Sequence, residues 1–297
     1  MQKIKTRTIF TSLVNNNGSM DNEYKNSFER FDENGNLIEE IVYTNEGNVE
    51  SRNQYDFDEK GRMVREVNYI DEEEIGDVKN YILDAEGKIT GKDIEYADGS
   101  KSFERTQRSS TSTTTTFTDE DGEFDGKEER KLDGNGNVIE FIRYGFNKNM
   151  EQHIVYEYND DSKLTGSVEY EGEYILRKTE YQYDENGNQT LEVARTRKGE
   201  LISRRVRKYD EKNHLIELSA PHFMIRYDYD EKGNMIREEN VLSNGTLQNL
   251  TLYTYNEDNL LIEERIYRAG EEYSVGGELM AHEESEHLSK KYAYEFF

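Results

Sequence analysis

Apolar residues along this chain fall into short segments that end at a recurring polar turn. Asp32-Glu33-Asn34-Gly35 is one such turn, and the segments between turns are about eight or nine residues long, close to the usual strand length. The segments at 37–43 and 63–69 are rich in branched and aromatic residues, which favour strands. The pattern therefore predicts strand, turn, strand, repeated along the chain.

The spacing of the turns is regular, which indicates a tandem repeat. Successive turns are separated alternately by 12 and 14 residues, so one two-strand unit occupies about 26 residues. We assign the turn glycines as Gly35, Gly47, Gly61, Gly87, Gly136, Gly187, Gly199, Gly233 and Gly245. Asn213, Asn259 and Ser162 replace glycine at equivalent positions, and Asn adopts a left-handed backbone more readily than most residues. Asp at the first turn position and Gly at the fourth are typical of a three-residue hairpin loop.

This spacing excludes the other fold classes. A helix would be interrupted by Gly or Asn every 12 to 14 residues, and no segment is long enough for the crossovers of a parallel sheet. We therefore predict an all-β protein, an antiparallel meander of tandem β-hairpins. About twenty strands would have to curl, so we expect an elongated, curved or coiled sheet. The expected domains are an N-terminal cap (1–28), a hairpin array (29–268) and a C-terminal cap (269–297).

Composition limits what this sheet can bury. Only 33% of residues are hydrophobic, against about 45–50% in ordinary domains, and the net charge is −26. However, 22 Tyr and 12 Phe are too many for a disordered chain, and many of them lie four residues before a turn Gly. We expect these rings to stack across neighbouring strands and form a thin aromatic core.

The turn sequences resemble the Rhs/YD (tyrosine-aspartate) repeat family. The matching positions are Tyr183-Asp184, Tyr209-Asp210 and Tyr229-Asp230, with Phe-Asp versions at 31–32 and 57–58. A weaker resemblance is to MORN-like repeat antitoxins, whose turns are similar. Most of 29–268 takes part, although the repeat is shorter than is usual for the YD family and there is no visible toxin module. These resemblances imply a coiled β-sheet in a protein associated with toxins.

Candidate chemistry is sparse. The chain has no cysteine, which excludes disulfides and thiolate metal sites. Asp133, Asn135 and Asn137 have the alternate spacing of calcium ligands, but Val138 and Tyr144 occupy the positions where an EF-hand needs Gly and Glu. Turn chemistry explains these residues better, and no phosphate loop or nucleophile elbow is present. We predict no catalytic residues, no metal, no cofactor and no enzymatic activity.

Two acidic clusters and two apolar positions are candidates for partner binding. The clusters could steer a basic partner, although a solubility surface explains them equally well. Phe223 and Met224 follow a shortened hairpin and would either anchor a partner or fill the core of a short strand. The full set is Asp71, Glu72, Glu73, Glu74, Asp119, Glu120, Asp121, Phe124, Phe223 and Met224.

The favoured function is a non-enzymatic, protein-binding repeat protein, an immunity protein or antitoxin that occludes a basic toxin domain. Two alternatives remain open: an exported module that binds glycan or cell-wall material, and a self-associating scaffold. No long apolar segment suggests a membrane span, and the basic stretch at 195–208 favours pairing with acidic strands over nucleic-acid binding. We therefore expect a cytoplasmic protein with a protein partner, no membrane and no nucleic acid, although an already removed export signal remains possible.

Overall fold

The computed structural model describes residues 2–14, 22–268, 273–275, 278–280 and 285–297, and these residues form strands and turns without helices. The strands are β1 (Ile4–Leu13), β2 (Tyr24–Phe31), β3 (Leu37–Tyr43), β4 (Val49–Phe57), β5 (Met63–Tyr69), β6 (Ile75–Leu83), β7 (Ile89–Tyr96), β8 (Lys101–Arg108), β9 (Ser112–Asp119), β10 (Phe124–Leu132), β11 (Val138–Tyr144) and β12 (Met150–Tyr158). They continue as β13 (Leu164–Glu171), β14 (Tyr174–Tyr183), β15 (Gln189–Thr196), β16 (Leu201–Tyr209), β17 (Leu215–Ser219), β18 (Phe223–Tyr229), β19 (Met235–Leu242), β20 (Leu247–Tyr255), β21 (Leu261–Arg268), β22 (Tyr273–Val275), β23 (Glu278–Met280) and β24 (Ser285–Phe296).

The repeated turns that begin with aspartate are each held by that aspartate, whereas the turns that end at Gly47 and Gly199 begin with threonine. In the first, the Gly35 amide donates to the Asp32 carbonyl at 3.0 Å and the Asp32 amide donates to the Asn36 carbonyl at 2.9 Å. Asp32 Oδ1 accepts from the amides of Asn34 and Asn36, and Oδ2 accepts from Asn36 Nδ2 at 2.9 Å. The Asp-x-x-Gly-Asn sequence therefore satisfies its polar groups internally, which explains its recurrence.

The fourth turn position has a left-handed backbone throughout the repeats. The assigned turn glycines have φ from +73° at Gly61 to +91° at Gly35. Ser162, Asn213 and Asn259 have φ of 60°, 66° and 68° at the equivalent positions. Each substitution therefore keeps the left-handed conformation that the loop requires.

A β-bulge follows the turn in successive hairpins. The register shifts, for example, between Gln182 and Tyr183 and between Thr254 and Tyr255.

The Tyr183 hydroxyl donates to the Leu164 carbonyl at 2.8 Å, and the Tyr255 hydroxyl donates to the Met235 carbonyl at 3.0 Å. The tyrosines before the turns therefore connect hairpins through hydrogen bonds, a role that the expected aromatic stacking did not include.

The chain divides into two compact units. The first contains Met1–Arg52 and Arg205–Phe297, and the second contains Asn53–Arg204. In the second unit, β5 to β15 pair in chain order, each strand antiparallel to the next. In the first, the order is β16, β17, β18, β19, β20, β21, β24, β1, β2 and β3, again antiparallel.

The predicted antiparallel meander is confirmed, but the predicted elongated, curved or coiled open sheet is wrong. Thr8 of β1 lies opposite Phe28 of β2 on one side and opposite Ala293 of β24 on the other. β1 is therefore not an edge strand. The 22-stranded sheet closes into a β-barrel, while β22 and β23 form a separate two-stranded ribbon. Strand direction alternates in a meander. With an even number of strands, the first strand and the last strand therefore run in opposite directions and can pair as antiparallel neighbours. Twist and repeated bulges supply the curling that brings the two ends together.

Few apolar side chains are fully enclosed, which agrees with the low hydrophobic content. Val67 is 2% exposed, and Val193 and Ala194 are buried although they are consecutive residues of β15. Successive side chains in a strand point to opposite faces of the sheet. Because both of these residues are buried, each face of the sheet has an enclosed position. The division into two caps and an array stays a prediction.

Gly91 lies where a neighbouring strand approaches closely. A Cβ atom at Gly91 would lie 2.7 Å from the backbone oxygen of Glu104. We expect Gly91→Ala to lower the free energy of unfolding by about 1–3 kcal/mol, because the backbone must shift to admit the methyl group. Urea denaturation measures the change, with Gly134→Ala as the matched control because nothing lies within 4 Å of a Cβ there. Equal stability of the two variants would contradict this packing.

Candidate functional site

The strongest cluster of interacting ionisable and aromatic side chains lies in the first unit, on one face of β18 to β21 and β24. Tyr227 lies opposite Glu238, and Glu238 lies opposite Thr251. Tyr253, two residues after Thr251 and so on the same face, lies opposite Glu264. We call Tyr227, Glu238, Tyr253, Glu264 and Tyr292 the tyrosine–glutamate cluster.

Glu264 is neutralised within the cluster. Its Oε2 accepts a hydrogen bond from the Tyr292 hydroxyl at 2.8 Å and lies 3.5 Å from Lys290 Nζ. The Glu264 side chain is 14% exposed. Burial and the bond to Glu264 raise the pKa of Tyr292. This carboxylate therefore has both a cation and a donor, as a shielded charge requires.

Glu238 differs from Glu264 because it lacks such partners. Among the residues that the structure describes, Glu238 makes no ion pair and no side-chain hydrogen bond, although it is half-buried. The pKa of Glu238 is raised above the ordinary value of 4.5, mainly by burial and then by the nearby charge of Glu264. Ionised Glu238 is thus an uncompensated negative charge in a partly dry site.

Tyrosines flank this carboxylate on two strands. Burial, then the charges of Glu238 and Glu264, raises the pKa of Tyr253 to about 12. Burial and then Glu238 also raise the pKa of Tyr227. Both phenols are therefore neutral at physiological pH. An unpaired carboxylate beside aromatic rings is suited to hold an organic cation.

The same face continues onto β24, β1 and β2 with paired charges. Tyr294 lies opposite Arg7, and Arg7 lies opposite Glu29. Arg7 Nη2 is 2.6 Å from Glu29, and this bond raises the pKa of the guanidinium. Glu29, farther along the same face, therefore has a cation, as Glu264 does.

The predicted acidic clusters are turns of the second unit. Asp71 Oδ1 accepts from the amides of Glu73 and Glu74 at 2.9 and 2.8 Å, in the turn between β5 and β6. Asp119 Oδ1 accepts from the amides of Asp121 and Glu123 at the turn between β9 and β10. Both aspartates therefore have a local structural role. The remaining acidic candidates, Glu72 and Glu120, lie in these same turns.

The predicted apolar anchors do not form one surface with the acidic clusters. Phe124 begins β10 in the second unit, where Lys148 Nζ lies 5.5 Å from its ring centroid. Phe223 and Met224 begin β18 in the first unit, are half-buried and pair with Leu242 and Val241. Partner binding by any of the ten candidate residues stays a prediction.

The tyrosine–glutamate cluster was not among the predicted site residues, although its tyrosines follow a pattern in the sequence. A second tyrosine precedes the turn tyrosine by two residues in Tyr227-x-Tyr229 and Tyr253-x-Tyr255. Residues that are two positions apart in a strand point to the same face, so the two rings lie on one face of their strand. The same spacing occurs in Tyr156-x-Tyr158 and Tyr181-x-Tyr183, so it marks paired rings on a strand but does not single out this site.

The described residues contain no group of three or more His, Asp or Glu side chains that could hold a metal ion. In the calcium-like loop, Asp133 Oδ2 accepts from Asn137 Nδ2 at 2.9 Å, and Oδ1 accepts from backbone amides. The oxygens that would face an ion are thus used by the turn itself. Separately, no helix among the described residues is long and apolar enough to cross a membrane.

No family model matches this chain, and no curated protein matches it. Several solved structures align with it, and two of them are porin-like proteins. A porin-like protein from Bacteroides uniformis ATCC 8492 is 8% identical, with 98% of each chain covered and a TM-score of 0.33. A porin-like protein from Bacteroides vulgatus ATCC 8482 is 11% identical, with 69% of this chain and 97% of that chain covered and a TM-score of 0.25.

These findings correct several expectations. No family model supports the Rhs/YD or MORN-like resemblance, and the coiled open sheet that they imply is closed in this structure, so both resemblances are wrong. The toxin-occluding function and the basic toxin partner depended on an open curved sheet, and the sheet is closed. The exported repeat module is wrong together with the repeat resemblance, and the edge-associating scaffold is wrong because a closed sheet has no edge to pair. The expected cytoplasmic localisation and the expected absence of a membrane are also contradicted, because the sheet is a closed barrel. The absence of enzymatic activity stays a prediction.

Proposed function

We propose that this protein is a solute-binding β-barrel that takes an organic cation, of the alkylammonium class, at the tyrosine–glutamate cluster. The observation that carries the proposal is Glu238, a half-buried carboxylate without an ionic partner among the described residues, directly opposite Tyr227. The excess of 64 acidic over 38 basic residues favours accumulation of cations near the protein.

Chemistry selects an organic cation over a metal ion. A metal site needs several oxygen ligands, whereas Glu238 is one carboxylate whose neighbour Glu264 is occupied by Lys290 and Tyr292. An alkylammonium group needs one counter-charge and aromatic surface. A cation–π contact of about 0.5–2 kcal/mol on each of two tyrosine rings corresponds to a dissociation constant of roughly 1 mM or weaker for a quaternary ammonium, which has no N–H to donate to Glu238.

Calorimetric titration with choline tests the proposal, with 3,3-dimethyl-1-butanol as its neutral analogue. We expect choline to bind, the neutral analogue not to bind, and Glu238→Gln to weaken choline binding at least tenfold. Since the pKa of Glu238 is raised, ionisation of this group costs folding free energy at neutral pH. Glu238→Gln should therefore be at least as stable as the wild type, so lost binding cannot be attributed to unfolding.

Glu257→Gln is the matched control, because Glu257 is an exposed turn carboxylate of the same unit. It should bind choline as the wild type does. Binding should also weaken as the pH falls through the raised pKa of Glu238, because protonation removes the counter-charge. Equal binding of choline and its neutral analogue, or full binding by Glu238→Gln, would refute the proposal.

A solute channel is a second candidate, favoured by closure of an even number of antiparallel strands. A lipid-facing band needs apolar side chains, yet the adjacent residues Arg65 and Glu66 place charges on both faces of β5. An Arg or Lys at the bilayer midplane costs about 2–4 kcal/mol. Conductance steps in a planar bilayer would support the channel, and their absence at saturating protein would exclude it.

A further inference from the structure

The face that carries the tyrosine–glutamate cluster continues along β19, β20 and β21 as a row of polar side chains. Asn240 lies two residues after Glu238 on β19, and Asn249 lies directly opposite it on β20. Arg268 lies opposite Asn249 on β21. The register is regular from Glu238 to Asn240 and from Asn249 to Tyr253, so these side chains share the face of the cluster. We call Asn240, Asn249 and Arg268 the polar row.

The two asparagines of the polar row have hydrogen-bonding groups without partners. The Asn240 Oδ1 atom is buried and accepts no hydrogen bond from any residue that the structure describes. The Asn249 side chain is half-buried, and it too makes no hydrogen bond within the described part of the chain. Burial of a polar group is unfavourable unless it is hydrogen-bonded. A ligand that brings a donor to this row would therefore be stabilised there.

Arg268 supplies a positive charge at the end of the polar row. It is exposed, and it forms no ion pair with any other described residue. Glu264, the carboxylate of the same strand on this face, lies four residues away and is held by Lys290 and Tyr292. Arg268 is therefore available to an anion, whereas Glu238 is available to a cation.

The separation of these two opposite charges suits a small zwitterion. Glu238 and Arg268 are two strands apart and two residues apart along the strands, which places their Cα atoms about 12 Å from each other. Both side chains are long, so their charged ends can lie closer together than their backbones. Thr251 and Ile266 are opposite one another beside them on the same face, and Ile266 offers apolar surface to a short carbon chain.

We propose that the solute is a zwitterion that carries a quaternary ammonium group, a hydroxyl group and a carboxylate on a short chain, an inference that rests on the proposed function. The ammonium group lies against Glu238 beside Tyr227 and Tyr253, and the carboxylate pairs with the Arg268 guanidinium. The hydroxyl group donates to Asn240 Oδ1. A guanidinium can hold a carboxylate by two parallel hydrogen bonds, so this contact fixes the direction of the solute.

Calorimetric titration of the whole protein with carnitine, γ-butyrobetaine and choline tests this inference. Carnitine has all three groups, γ-butyrobetaine lacks the hydroxyl group, and choline lacks the carboxylate. We expect carnitine to bind at least tenfold more tightly than choline, and γ-butyrobetaine to bind at least twofold more weakly than carnitine. Arg268→Gln should weaken carnitine binding at least tenfold, to about the affinity of choline, because glutamine has no charge to pair with the carboxylate.

Arg226→Gln is the matched control, because Arg226 is an exposed arginine of β18 that adjoins Tyr227 and so lies on the opposite face of the sheet. It should bind carnitine as the wild type does, and near-identical circular dichroism melts should show that both variants fold.

The outcomes separate this inference from the proposed function. If choline binds but carnitine binds no more tightly, or if Arg268→Gln keeps the preference for carnitine, the zwitterion is wrong and the organic-cation site remains. Equal affinities for carnitine and γ-butyrobetaine would contradict the hydroxyl contact to Asn240. If none of the three compounds binds, the proposed function is wrong as well.

Discussion

Replacing Thr8 with proline is expected to lower the free energy of unfolding by about 3 kcal/mol or more, or to prevent folding. Thr8 lies in β1, opposite Phe28 of β2 and Ala293 of β24. Because β1 has a partner strand on each side, its amide hydrogens point to one partner or the other. Proline removes one of these hydrogen bonds, and its ring cannot be accommodated in a central strand.

Thr8→Val is the control for this substitution, because valine keeps the amide and the branched shape. It should unfold at nearly the wild-type urea concentration, while Thr8→Pro should unfold far earlier or appear unfolded by circular dichroism. In an open array β1 would be part of an end cap, and proline would be tolerated there. Wild-type stability of Thr8→Pro would therefore contradict closure of the sheet.

The repeated hairpins could be predicted from the sequence because their determinants are local. Asp184 bonds to the amides of Asn186 and Asn188, so every contact that fixes the turn lies within four residues. Closure has no such local signature. Thr8 pairs with Ala293, and no period in the sequence links these two positions. The terminal segments also lack the Asp-x-x-Gly turn, so the repeat spacing carries no information about their partner strands.

The candidate site shows the same division between local and long-range information. The spacing Tyr227-x-Tyr229 identifies a position for an aromatic residue on a strand. It does not show that Glu264 has Lys290 opposite it while Glu238 has Thr251. Which carboxylate lacks a cation depends on the register of four strands, so Glu238 could not be distinguished among 64 acidic residues.

Lowering the pH from about 4 to about 2 is expected to lower the free energy of unfolding of the protein, because the turns depend on ionised aspartates. Hydrogen bonds from the side chain of Asn188 hold the pKa of Asp184 below its ordinary value of 3.8. The bond from Arg62 lowers the pKa of Asp58 to about 2. The same direction holds for Asp32, Asp133, Asp210 and Asp230.

The sign of this effect follows from the direction of the shifts. A carboxyl whose folded pKa is lowered binds protons more strongly when the chain is unfolded. Its contribution to stability is therefore fully present above the unfolded value near 3.8 and is lost as the pH falls through the folded value. The losses accumulate because the turn recurs along the whole chain.

Urea denaturation of the wild type and Asp184→Asn at pH 7, 4 and 2 separates this mechanism from general acid expansion. Asparagine keeps a carbonyl oxygen for the amides of Asn186 and Asn188 but cannot ionise. We expect the variant to be less stable than the wild type at pH 7, with the difference shrinking towards pH 2, where Asp184 is protonated. A difference that stays constant across this range would mean that the charge of the turn aspartate does not stabilise the fold, and acid unfolding would then have to arise elsewhere in the sheet.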